Sequence, residues 1–261
     1  MKFFEFDEPK LVKTAVKYSL FFFLFLFLGT FHAFASTYLW TGSGDGTSWT
    51  DIANWSSSDG GTSYPGADSS DVANINIQST ITLTSNITIA KLELPAIASD
   101  SYSVTISGSY TLTATTIETS RATLETTDTS LLILDCDVTA DTMIMHSGAS
   151  ITLNGTCNIT NVVNWGTAST TLTVNGSLTS TSIDLNTSSA LTLVVSSTGT
   201  VTTGTLVGAA NSVVDNGTII TTSAVAANLL ADSSSHAIYS DSATNVYWTG
   251  ANGTDASDDG N

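Results

Sequence analysis

The chain has 261 residues, 41% of them hydrophobic and only 11% charged, with a formal net charge of −17. Lys91 and Arg121 are the only cations after residue 35, set against twenty carboxylates, so too little positive charge remains to neutralise a nucleic acid or dock on an anionic membrane. The high apolar content argues equally against a disordered chain, and solubility must rest on Ser, Thr and Asn.

At the N-terminus, Lys10, Lys13 and Lys17 precede an unbroken apolar run from Leu20 to Leu28, and Ala33-Phe34-Ala35 follows it. A basic lead, a short apolar core and a small-x-small site read as a secretory signal peptide over residues 1–35, cut after Ala35. The run is too short to span a bilayer comfortably. The mature chain is therefore expected outside the cell, delivered by the secretion machinery and without a membrane span.

Residues 36–79 are rich in tryptophan and in turn residues. Trp40, Trp49 and Trp55 fall within sixteen positions, separated by Gly42, Asp45-Gly46 and Asn54. Large rings cover the exposed cross-section of a repeat stack efficiently, so this segment is expected to cap one. The competing reading is an aromatic platform on which sugars stack.

Residues 80–240 read as β-helix coils. Thr or Ser alternates with Val, Ile and Leu, which gives strands with one buried face. Seven punctuation marks recur: Ser85-Asn86, Ser107-Gly108, Asp135-Cys136, Asn154-Gly155, Asn175-Gly176, Thr198-Gly199 and Asn216-Gly217. Their spacings are 22, 28, 19, 21, 23 and 18 residues. A period near one coil length predicts an all-β, single-stranded parallel β-helix, or β-solenoid. Asn-Gly also closes antiparallel hairpins, so antiparallel β-sandwich modules are the alternative. Inward Thr and Asn are expected to bond their equivalents one coil away. The longest interval, from Ser107 to Asp135, holds Arg121 and Glu125 and is expected to carry a protruding loop or an imperfect extra half-turn.

The opening segment resembles the start of repeat units in large bacterial surface proteins of the autotransporter and filamentous-adhesin type. Trp40, Gly42, Trp49, Asn54, Trp55, Pro65, Asp71, Ala73 and Ile75 match the order of such units. The resemblance implies a secreted right-handed β-helix at the bacterial cell surface with adhesive or scaffolding duty. Val246-Tyr247-Trp248-Thr249-Gly250 repeats Tyr38-Leu39-Trp40-Thr41-Gly42, so residues 241–261 are expected to begin a second, truncated unit.

Candidate chemistry is sparse. Cys136 and Cys157 are the only cysteines. Aligning the marks sets them two residues out of step, which favours two buried thiols over a disulfide without settling it. Asp135, Asp137 and Asp141 form the densest acidic cluster in the coils. A carboxylate pair such as Asp135 and Asp137 suits acid–base cleavage of polysaccharide, or calcium, but solvated acids on an outer face are the simpler reading. Asp45-Gly46 and the group Asp255, Asp258 and Asp259 fit no calcium-loop pattern. His146 and His236 have no partner within a recognisable motif, and neither a nucleophile elbow nor a phosphate-binding loop occurs. Sequons at Asn86, Asn154, Asn175 and Asn216 follow from turn composition. No catalytic, cofactor-binding or metal-ligating residue is therefore assigned and no cofactor is expected. The chain reads as a non-catalytic adhesin or extracellular scaffold for a host-surface or extracellular polysaccharide or protein ligand. A β-helical polysaccharide lyase or hydrolase using the Asp pair is the alternative.

Overall fold

A computed structural model describes residues 35–95, 102–119, 130–166, 169–186, 191–223, 229 and 238–240. The expected signal peptide up to Phe34, the segment with Arg121 and Glu125, His236 and the second Trp-Thr-Gly sequence lie outside the described residues.

The coils are parallel throughout. Their strands are Ser79–Thr82, Ile87–Leu94, Tyr102–Thr119, Ser130–Met145, Ala149–Leu153, Thr156–Asn164, Thr170–Val174, Ser177–Asp184, Leu191–Val195, Thr200–Val207, Val213–Asp215, Thr218–Thr221 and Ile238–Ser240. Each strand hydrogen-bonds to its counterpart one coil away, giving a β-solenoid of about six turns. The antiparallel sandwich alternative is overturned by this register. Among the described residues only Thr37–Trp40 and Trp55–Ser57, in the tryptophan-rich segment, pair antiparallel.

Each coil bends at two recurring places that split it into three faces. The first bend is the punctuation mark. The second needs no Gly or Pro: the ladder skips Ala90, Thr115 and Asp141, and inward positions there step by three residues instead of two. Val138 and Ala140 point inward before this bend, Met143 and Met145 after it. A three-residue step reverses the alternation, so a strand must turn there to keep apolar side chains inside.

The interior is a set of aliphatic files. Ile81, Ile106, Leu134, Leu153, Val174 and Val195 stack in register along the first face. Leu193 stacks on Leu172 in the adjacent file. On the second face Ile87, Leu112, Val138, Cys157, Leu178, Val201 and Ile219 form another. All belong to one core. Burying each such side chain contributes roughly 1.5–3 kcal/mol, and only neighbouring coils supply the cover.

Two details depart from the sequence reading. The marks are not all equivalent: Thr82 pairs with Ser107, while Asn86 lies level with Thr111. Likewise Gly199 aligns with Gly176 and Gly217, but Ser196 aligns with Asn175, so Ser197 and Thr198 are extra residues in that corner. The inward polar residues also bond differently. Thr203 Oγ1 donates to Thr205 O at 3.0 Å, and Gly166 N donates to Asn164 Oδ1 at 2.8 Å, both local backbone contacts. Coil-to-coil ladders form outside instead, where Asn175 Nδ2 donates to Asn154 Oδ1 (2.9 Å) and Ser182 Oγ to Asn161 Oδ1 (2.8 Å). Buried Thr119 Oγ1 instead reaches the backbone of the next coil, donating to Ile144 O at 3.5 Å, and on the outside Asn86 Oδ1 accepts from Thr111 N at 3.1 Å.

The tryptophan segment continues the stack at its N-terminal end. Tyr38 pairs above Ala73, which pairs above Leu92, and Ser48 bridges to Thr82. Trp40, Trp49 and Trp55 are 2%, 0% and 7% exposed, so they cap the core and offer no sugar platform. Trp55 meets Trp40 and Trp49 edge-on, at centroid distances of 4.9 and 5.0 Å. Trp49 Nε1 donates to Pro65 O and Trp55 Nε1 to Trp49 O, at 2.8 and 2.7 Å. Asn54 is fully buried, its Oδ1 accepting from Gly44 N and Gly46 N while its Nδ2 donates to Asp45 Oδ1 and Ser48 O. Buried Asp71 accepts from Gly66 N and Asp68 N. Trp49, Asn54, Trp55, Pro65 and Asp71 thus tie the cap together.

Candidate functional site

The sequence-nominated acids do not assemble into a groove. Asp135 ends the first face and Asp137 begins the second, with the corner residue Cys136 between them. Both are exposed, as is Asp141 at the second bend. Asp137 Oδ1 accepts from Thr156 N at 3.0 Å, tying one coil to the next. Among the described residues neither Asp135 nor Asp137 has a salt bridge.

Both cysteines are buried and free. Cys157 lies in register with Val138, so Cys136 is two residues out of step, as the aligned marks indicate. Burial pushes each thiol up to about 12, since a thiolate inside an apolar file has no solvation. Asp45 serves a turn: its Oδ1 accepts from Thr47 N and Ser48 N at 2.8 and 2.7 Å. Among the described residues, no group of three or more His, Cys, Asp or Glu could hold a metal ion. No helix there is long and apolar enough to cross a membrane.

Among the described residues the salt bridges gather elsewhere, on the third face. Lys91 is the only Lys or Arg among the described residues and His146 the only His, and both reach the same carboxylate. Lys91 Nζ lies 2.6 Å from Glu118 Oε2 and 3.4 Å from Glu93 Oε1. His146 Nε2 lies 3.0 Å from Glu118 Oε1. Glu93 and Glu118 are register partners, and both project outward. His146 follows the strand one coil further on, and its backbone N–H donates to Thr119 O. Trp165 comes one coil later, its N–H donating to Met145 O, and its ring meets that of His146 edge-on at 5.8 Å and 84°.

Electrostatics fix this strip. Burial raises the Glu118 carboxyl, but hydrogen bonds and charge from Lys91 and His146 outweigh it and hold the group below its ordinary value. Burial lowers Lys91, and its pairing with Glu118 and Glu93 more than reverses this. The carboxylate therefore stays charged and keeps both neighbours in place. Trp165 is 61% exposed, unlike the three cap tryptophans.

Sequence reading missed this strip because Glu118 and His146 are 28 positions apart, in consecutive coils whose register only the fold supplies. One signal was present: Trp165 stands at an outward position among Thr, Ser and Asn. No protein-family model matches the chain, and neither a curated protein nor a solved structure shows a match to it.

Proposed function

We propose that this chain is a unit of an exported bacterial surface protein of the autotransporter or filamentous-adhesin kind, acting by adhesion or scaffolding and not by catalysis. One observation carries the reading. The second face presents two parallel outward files, Thr111, Asp137, Thr156, Ser177, Thr200 and Thr218 beside Thr88, Thr113, Thr139, Asn158, Thr179 and Thr202. Successive members are about 4.8 Å apart along the rod and about 6.7 Å across it. A stiff, almost uncharged lattice of hydroxyls and methyls suits many weak contacts made at once, where avidity replaces a deep site. The apolar run before Ala35 and the matching residues of the cap support export and family style.

Beads coated with the full chain should stick to extracellular matrix or polysaccharide films. Replacing Thr113 and Thr179, which lie three coils apart, by Glu should weaken that adhesion with little change in melting temperature. Coated beads that adhere to none of these surfaces would overturn the reading. So would polyuronide cleavage by the purified chain that disappears in Asp137→Ala, which favours the lyase or hydrolase alternative.

A further inference from the structure

We infer that the third face carries a binding subsite for a neutral hexose glycan, with Trp165 as its stacking floor and the Glu118 strip as its polar wall. The inference goes beyond adhesion in general and holds or fails wherever the protein resides.

Three observations converge on it. First, Trp165 leaves most of a large indole in water, although the same chain buries Trp40, Trp49 and Trp55 almost completely. Leaving such a ring out forgoes one of the largest burial gains a side chain offers. Second, the ring is held. His146 meets the indole in a T-shaped contact at 5.8 Å, Glu118 holds His146 at 3.0 Å, and Lys91 holds Glu118 at 2.6 Å. A ring fixed before the ligand arrives loses little entropy on binding. Third, the strip has a length and a direction. Glu93, Glu118, His146 and Trp165 occupy four successive coils, spanning about 14 Å along the rod, the length of a short oligosaccharide laid parallel to the axis.

The chemistry selects the ligand. A pyranose offers an apolar C–H face to an indole and hydroxyls at its rim. Carboxylate oxygens of Glu93 and Glu118 retain lone pairs to accept from hydroxyls, while the Lys91 ammonium presents N–H donors. This mixture of one apolar surface with a few convergent polar groups is what orients a small ligand. Polyuronides are disfavoured, because two carboxylates face one lysine in a chain of net charge −17.

The full chain is titrated with cellohexaose, maltohexaose and mannohexaose, following tryptophan emission, acrylamide quenching and calorimetric heat. At least one should bind with a blue shift and protect an exposed indole. Trp165→Ala should weaken that binding at least tenfold with an unchanged melting temperature, Trp165→Phe less, and His146→Ala by a few-fold. Binding that survives Trp165→Ala overturns the proposal, as does binding of polygalacturonate alone or the absence of binding by all three neutral probes at millimolar concentration. Should Trp165→Ala lower the melting temperature, Trp165→Phe decides the question: protection of an indole by ligand must vanish in it, and protection that persists overturns the proposal.

Discussion

A β-carbon built on Gly155 would lie 2.1 Å from the carbonyl oxygen of Cys136, one coil away. The same squeeze recurs at Gly176 against Gly155 O (2.3 Å) and at Gly217 against Ser196 O (2.2 Å). None of these glycines has positive φ. They are required because one corner stacks backbone to backbone on the next, and any side chain there would force the coils apart.

Gly155→Ala should therefore cost about 2–4 kcal/mol, as a clash with backbone that cannot swing aside. Gly61→Ala, whose nearest neighbour is a side-chain oxygen of Asp59 at 3.0 Å and not backbone, should cost less than about 1 kcal/mol. Urea melts of the two variants test this; equal losses would show that the corner relaxes freely.

Asn54→Ala should be among the most damaging changes in the cap. It leaves the Gly44 and Gly46 N–H groups without their acceptor, at about 2–4 kcal/mol in total. Asn54→Asp keeps the acceptor but sets a buried charge beside Asp45. That carboxyl would be raised in the folded state, so its penalty should shrink as pH falls. Thermal melts at pH 7 and pH 4.5 read both effects, and fluorescence of the adjoining Trp49 and Trp55 reports the cap directly.

The thiols should be silent in the folded protein. With burial holding both near 12, iodoacetamide at pH 8 finds almost no thiolate. Labelling should be slow in buffer and reach two equivalents in denaturant without reductant. One rapid equivalent, or none after unfolding, would contradict the buried, unpaired arrangement.

Acid should weaken the third face. Glu118 has a folded value below its ordinary one. The unfolded chain therefore binds that proton first as pH falls, and the contribution of Glu118 is complete above about pH 4.3 and lost as pH drops through the folded value. Asp59 behaves likewise further down. The Ser57 hydroxyl, the Gly61 N–H and the Ser36 hydroxyl hold it at about 2, so its share fades between about pH 4 and that value. Urea midpoints between pH 6 and 3 should fall less steeply in Glu118→Gln than in the unmodified chain, and parallel slopes would refute the linkage.

Much of the architecture was legible from residues alone. Leu153, Val174 and their neighbours alternate with Thr because a strand has two sides, and alternation survives any change of partner. The near-period of the marks revealed coiling because each coil must return to the same corner. The out-of-step cysteines could be placed for the same reason. Unequal corners were harder: Ser197 and Thr198 extend one turn and shift the visible mark, while the three-residue step at Asp141 bends the strand without any Gly or Pro to announce it.

Strand, coil and cap were thus determined by the sequence itself, through side-chain alternation and the demand of an apolar cross-section for aromatic cover. Which outward residues become neighbours was decided only by the tertiary structure. Lys91, Glu118, His146 and Trp165 come from four coils, and a shift of one residue in any register would turn their side chains to the other side of the sheet. Contact across coils depends on the exact residue count of every intervening corner, a sum that no local pattern contains.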